Sequence, residues 1–215
     1  MKSIFTLSTV ALATQAWAAS CSPTREIGGV KVIDTPIVRA AEEYAKNNSN
    51  DAVYAHIMRS WLYGVLYVQA NEELSKTVDL ELHAVASMLH DLGWDQTPGS
   101  PLISDDRRFE VDGAFAATDF IHHHEDADDW DERRVQLVWD AIALHTTPSI
   151  YNFKEIDVKA VGQGILMDFY GPSDGVTQEA YSKVSAAFPK DTMYDAVNGA
   201  IIWLCQTKPN TTYGE

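Results

Sequence analysis

His90 and Asp91 are neighbouring residues of metal-binding types, and they end a largely apolar stretch over residues 86–89. On a regular helix, adjacent side chains point about 100° apart and rarely share a target. Gly93 breaks the helical repeat just after the pair, so the imidazole and the carboxylate can turn toward one point. Histidine nitrogen and carboxylate oxygen are common ligands of zinc, iron and manganese. The pair therefore predicts a metal site.

The same two residue types recur at His56 and Asp168, each within a stretch that is apolar on most sides. A carboxylate such as Asp168, between Met167 and Phe169, is costly to bury unless a cation or hydrogen bonds compensate its charge. We expect His56, His90, Asp91 and Asp168 to hold one divalent metal ion. Two histidines and two aspartates leave coordination positions open for water, as in catalytic rather than structural metal sites.

The elements that must position these residues are predicted to be helices, since no window shows sustained strand alternation. Residues 20–34 are predicted to be extended over the surface, 72–77 to be a polar break, and 93–106 to form a loop at the mouth of the site. Pro148 is expected to end a helix. The expected fold is a single all-α domain over residues 35–205, followed by a C-terminal tail over 206–215. The predicted helices cover residues 35–46, 51–70, 78–92, 107–124, 132–145, 158–170, 177–188 and 192–205.

Composition restricts the partners of the protein. The 215 residues suit one domain, and the net charge is −15, with 31 acidic against 16 basic residues. This balance argues against nucleic acid and anionic membranes, which attract clusters of Lys and Arg. We therefore expect a small-molecule substrate, with no nucleic-acid or membrane partner. The sequence leaves the oligomeric state open.

The first 19 residues have the pattern of a secretory signal peptide. Lys2 precedes an apolar run over residues 4–13, and a small-x-small site follows at residues 16–18. The expected location is therefore extracellular. In an oxidising compartment Cys21 and Cys205 could pair, and the sequons at Asn47 and Asn210 could carry glycans. The sequence leaves these modifications open.

Five segments of the chain resemble the HD-domain superfamily of metal-dependent hydrolases and lyases, and within it the cyanamide hydratase group. Their sequences are Ala-His-Ile-Met-Arg-Ser at 55–60, Met-Leu-His-Asp-Leu at 88–92, Arg-Phe-Glu-Val-Asp-Gly-Ala at 108–114, Ala-Ile-Ala-Leu-His at 141–145 and Leu-Met-Asp-Phe-Tyr-Gly at 166–171. The resemblance covers about residues 35–205. It implies an HD-domain helical bundle, with His56, His90, Asp91 and Asp168 as the metal ligands. After the His-Asp pair the group carries small hydroxylated residues, where this chain has Gly93-Trp94-Asp95.

Three further residues are candidates for catalytic roles. His145 would move a proton or bind substrate, or else cap a helix C-terminus. Glu110 would orient a ligand, or else serve as a carboxylate in the first turn of a helix. Arg59 would hold Glu110 or a substrate anion, or else form a structural ion pair. A second metal through His124 and His145 is an alternative that the run His122-His123-His124 leaves open, and His83 is expected to be structural.

A divalent ion lowers the pKa of its bound water and polarises an electrophile such as a nitrile carbon or a phosphoryl group. The ligand set suits zinc or iron, and also manganese. The leading expectation is an enzyme that hydrates a small nitrile-like substrate. The alternatives are a metal-dependent phosphohydrolase and a secreted binding protein that retains the metal site.

Overall fold

In a computed structural model, which describes residues 22–212, the chain is an all-α bundle with one short β-hairpin. Ten α-helices are present in this range, and short 3-10 turns cover Leu92–Trp94, Ala127–Asp129 and Pro209–Thr211. The helices are α1 Pro36–Asn47, α2 Asp51–Gln69, α3 Glu72–Thr77, α4 Leu80–Leu89, α5 Phe109–His123, α6 Glu132–Leu144, α7 Pro148–Tyr151, α8 Ile156–Tyr170, α9 Gln178–Ala187 and α10 Met193–Thr207. The predicted all-α class is confirmed.

The segment before α1, which the sequence predicted to be extended over the surface, is extended but forms a β-hairpin with one face buried. Strands β1 (Thr24–Ile27) and β2 (Val30–Ile33) pair antiparallel, with Ile27 opposite Val30. Gly28 and Gly29 form the turn at positive φ, which glycine adopts without steric cost. One face of β2 is buried in the core, and this burial stabilises the hairpin. The strands are too short for an alternation of apolar and polar residues to be recognised in the sequence.

Two other boundaries differ from the prediction for local reasons. The polar break over residues 72–77 is helix α3, because the Asn71 side chain accepts hydrogen bonds from two free backbone N–H groups at its start. Pro148 does not simply stop α6, since it also occupies the first turn of α7, where a missing N–H costs nothing.

Helices α2 and α8 cross at the centre of the bundle, and two glycines allow them to approach. A Cβ on Gly164 would lie 2.4 Å from the Ser60 carbonyl oxygen and 2.7 Å from the Gly64 nitrogen. A Cβ on Gly64 would lie 3.4 Å from the Ala160 carbonyl oxygen of α8, and only 2.2 Å from Nε2 of the buried His83 on α4. The crossing holds His56 on α2 and Asp168 on α8 at one end of the same contact.

No helix within residues 22–212 combines the length and the apolar character needed to cross a bilayer. The predicted signal peptide and Cys21 lie outside the described residues. Cys205 is exposed on α10 and forms no disulfide with another described residue.

Candidate metal centre

Helix ends and one helix face bring the candidate ligands together. His56 projects from the first half of α2, whose start is fixed by the Asn50 side chain as N-cap. His90 is the C-cap residue of α4, and Asp91 begins the 3-10 turn that follows it. The predicted break at the end of this helix is therefore present, and it turns both side chains of the pair into the bundle.

The donor atoms form a compact, buried group. His56 Nε2 and His90 Nε2 lie 3.3 Å apart, and Asp91 Oδ2 lies 3.5 Å from the first and 3.1 Å from the second. One ligand atom from each of the three residues falls within 4.8 Å of the others, and all three side chains are buried. Within residues 22–212, this is the one cluster of three such residues close enough to share an ion.

Hydrogen bonds on the far side of each ring set the tautomer of the imidazoles. His90 Nδ1 lies 2.7 Å from the Ser87 carbonyl oxygen, which can only accept, so Nδ1 carries the proton. His56 Nδ1 lies 2.6 Å from Asp168 Oδ2, and it donates to that carboxylate. In the neutral rings both Nε2 atoms therefore present lone pairs to the same point, as histidine ligands of metals do.

The His145 ring is positioned in the same way as the His90 ring. It is the C-cap residue of α6, and its Nδ1 donates to the Ile142 carbonyl oxygen at 2.7 Å. Its Nε2 lies 3.7 Å from Asp91 Oδ1, and its ring meets the His90 ring edge-on. Burial lowers the pKa of His145 to about 4. Both sequence expectations for His145 are therefore compatible with its position, since one nitrogen caps the helix and the other faces the site.

The Asp91 carboxylate supplies the test of whether a cation fits. Both of its oxygens are buried, and neither has a hydrogen-bond partner among residues 22–212. Burial alone would raise the pKa of Asp91, but a positive charge on the neighbouring His90, His56 and His145 rings lowers it, and a bound cation would supply the same compensation. An unsatisfied buried carboxylate among imidazole lone pairs matches what a divalent cation needs. The group could hold a metal ion, and its donors suit zinc, iron and manganese alike.

Asp168 lies behind His56 and outside this donor group. Besides the bond from His56, it accepts hydrogen bonds from Arg59 Nε at 2.7 Å and Arg59 Nη2 at 2.9 Å. Lys190 Nζ lies 3.3 Å from Asp168 Oδ1 and also donates to its backbone carbonyl. Burial would raise the pKa of Asp168, but these partners hold it well below its usual range. In this arrangement Asp168 orients His56, and its predicted place among the ligands stays a prediction.

Arg59 and Glu110 do not contact one another as one sequence hypothesis proposed. Arg59 is fully buried and pairs with Asp168, and its Nη1 also binds the Phe188 and Pro189 carbonyl oxygens. Glu110 begins α5 and accepts hydrogen bonds from Arg108 and from Thr146, the residue after His145. Burial opposes the ionisation of Glu110, but these bonds hold its pKa below its usual range. Arg59 thus has the structural ion pair that was its alternative, and Glu110 supports the end of α6.

No protein-family model and no curated protein matches this chain. The interpretation of the site therefore rests on its own geometry.

Aromatic rings enclose the donor group. Trp94 stacks on the His56 ring with 6.5 Å between centroids, and Phe169 meets the same ring edge-on at 5.3 Å. Phe109 contacts both Trp94 and His145. Such walls limit the access of bulk water to the ligand atoms and strengthen electrostatic interactions there.

One cavity reaches Asp91 from the surface. Its volume is about 330 Å³, and its walls are the turn between α1 and α2 and the residues that follow Asp91, Trp94 among them. The sequence correctly placed this loop beside the pair. Farther along, the loop is held by Lys208, whose buried Nζ binds Asp112 and the Ser104 carbonyl oxygen.

Two residues of the site were not found from the sequence. Lys190 carried no signal, since it lies in a polar link between α9 and α10. For Trp94 the sequence did contain a signal. It lies three residues after Asp91 and beside a helix break, and a residue in that position is close to any ion that His90 and Asp91 bind. The histidine run ends on the surface, where His124 contacts Phe120 and Asp126 rather than His145.

Proposed function

We propose that this protein is a metal-dependent, HD-domain-like enzyme that adds water to a small, uncharged, nitrile-like substrate. The observation that carries the proposal is the buried group of His56, His90 and Asp91, in which both carboxylate oxygens lack hydrogen bonds. A divalent ion held there supplies Lewis acidity, which lowers the pKa of water and polarises an electrophile. The predicted secretion of the protein belongs to the same proposal.

The chain's own residues contribute orientation and proton transfer. Asp168 fixes the His56 ring, and the Ser87 carbonyl oxygen fixes His90. His145 Nε2 carries no proton when Nδ1 donates to Ile142, so it is a proton acceptor that faces Asp91. The aromatic walls limit the access of bulk water.

The lining of the cavity favours hydration of an uncharged substrate over phosphoester hydrolysis. Among the described residues that line it, two are carboxylates, Asp91 and Asp95, and none is Lys or Arg. Phosphoryl groups are normally held by such cations. A metal-dependent phosphohydrolase is the second candidate. It is supported by the ligand set, because a metal ion held by these residues could activate water for either reaction.

Elemental analysis tests the proposal directly. We expect one metal ion per chain in the wild type and none in His90→Ala or Asp91→Ala. The matched control is His83→Ala, which removes an equally buried histidine outside the group and should leave the metal content unchanged. Stoichiometric metal in the His90 variant, or none in the wild type after reconstitution, would contradict the proposal.

Activity then separates the candidates. A nitrile and a phosphate monoester are assayed side by side on the metal-loaded protein. Turnover of the nitrile supports the leading proposal, and turnover of the ester alone supports the phosphohydrolase. Metal without turnover of either would leave the binding protein as the remaining candidate.

A further inference from the structure

Trp94, which lines the cavity beside Asp91, has a buried polar group without a partner among residues 22–212. Trp94 is 8% exposed, and its Nε1–H donates to no acceptor in the described part of the chain. A buried donor left unpaired costs on the order of 1–3 kcal/mol, so such groups usually have a ligand or water as partner. Trp61 and Trp130 also have unpartnered indole N–H groups, but neither lines this cavity. Trp94 is thus the indole donor placed beside the proposed metal.

The position of Trp94 is rigidly set. Its backbone N–H donates to the Asp91 carbonyl oxygen at 2.9 Å, which closes the 3-10 turn directly after the ligand pair. A Cβ on Gly93 would lie 2.0 Å from the Phe109 carbonyl oxygen, so this turn packs directly on the start of α5. The indole ring is held between His56 and Phe109. A donor on such a support is pre-organised and loses little entropy when it binds a ligand.

The rest of the wall is neutral or anionic. Asn47, Asn48, Gln96 and Thr97 offer amide and hydroxyl groups, and Asp95 is a buried carboxylate. An anion in this cavity would face two carboxylates with no compensating cation from its lining. The lining therefore favours an uncharged molecule over an anion.

We propose that Trp94 is a specificity-determining residue, which donates a hydrogen bond from Nε1 to the acceptor atom of a small uncharged substrate in this cavity. Suitable acceptors are a nitrile nitrogen or a carbonyl oxygen, while the amide-rich wall accepts N–H groups of the same molecule. The inference rests on the proposed function, since it assumes that the substrate lies beside a metal at Asp91.

The experiment uses zinc-loaded, ¹⁵N-labelled protein and acetamide as an uncharged, unreactive probe. Loss of one indole N–H signal in Trp94→Phe assigns that signal. We expect acetamide to shift it saturably in the wild type, and its dissociation constant to rise about fivefold to tenfold in Trp94→Phe, the loss of one hydrogen bond. Trp130→Phe is the matched control, because it removes a buried, unpartnered indole remote from the cavity, and it should bind acetamide like the wild type.

Each other outcome overturns the inference. Acetamide binding without a shift of the Trp94 signal, or unchanged affinity in Trp94→Phe, would remove Trp94 as the donor. Failure of acetamide to bind, or a saturable shift caused instead by methyl phosphate, would remove the uncharged substrate class. Zinc content is measured on the same samples. A loaded protein that fails these tests contradicts only the inference, whereas a protein that takes up no zinc contradicts the proposed function itself.

Discussion

The substitution Gly164→Ala tests whether the crossing of α2 and α8 sets the geometry of the metal centre. The added Cβ would lie 2.4 Å from the Ser60 carbonyl oxygen, where ordinary contact begins at 3.4 Å, so the helices must separate by about 1 Å. The obstacles are backbone atoms, which cannot rotate away. We expect a loss of about 3 kcal/mol in the free energy of unfolding, the upper end for overpacked cores.

The same separation reaches the site, because His56 precedes Ser60 by one helical turn and Asp168 follows Gly164 by one turn. The 2.6 Å hydrogen bond between them then lengthens or breaks. Loss of such a supporting bond typically weakens metal affinity 10–100-fold, and we expect about tenfold or more here. Urea unfolding monitored by circular dichroism measures the stability, and competition with a chelator measures the metal affinity.

Gly199→Ala is the matched control. Gly199 is an exposed residue of α10, and a Cβ there meets no atom within 4 Å. Removal of a helical glycine should stabilise the protein by up to about 1 kcal/mol and leave metal affinity unchanged. The reasoning is refuted if Gly164→Ala unfolds at the same urea concentration as the wild type, or binds metal equally well after a measured loss of stability.

Two further predictions follow from buried charges. Burial lowers the pKa of His83 to about 4 from an ordinary 6.5. The unfolded chain therefore binds more protons between these values, and stability should fall by about 3 kcal/mol as the pH drops from 6.5 to 4. Urea unfolding across this range checks it, and His83→Gln should flatten the dependence. Asp168→Asn leaves the buried Arg59 without its counter-charge, so we expect about 3–5 kcal/mol of destabilisation by thermal unfolding. If Asp168 orients His56, chelator competition on this variant should show metal affinity reduced about 10–100-fold rather than abolished.

Much of the fold was predictable because the local signals agree with the tertiary structure. Asn50 and Asp79 cap the starts of α2 and α4, as their residue types indicate. The break after His90 was readable from Gly93, and with it the direction of the ligand pair. The hairpin was missed because its short strands depend on tertiary burial. Its turn residues, Gly28 and Gly29, were the signal that could have revealed it.

The candidate site was predictable in composition but not in arrangement. The sequence identified His56, His90 and Asp91 because their types and apolar context are unusual together. It treated Asp168 as equivalent to them, since a buried carboxylate that binds an ion and one that binds an imidazole and a guanidinium have the same sequence context. What distinguishes Asp168 in the structure is its ion pairs with Arg59 and Lys190, which come from distant parts of the chain. Such pairings cannot be read from spacing.

His90 and His145 are both positioned by the end of the helix that carries them, and this limits how the chain can change in evolution. Each imidazole is aimed by a bond to the carbonyl oxygen three residues earlier, at the end of its own helix. Deletion of one residue inside α4 or α6 would rotate the corresponding ring by about 100° and shift it about 1.5 Å along the axis. The lengths of α4 and α6 are therefore constrained by the geometry of the site. Insertions should be tolerated only where they do not change those lengths. The loop over residues 98–103 meets that condition, so homologous proteins should vary in length there while keeping α4 and α6 constant.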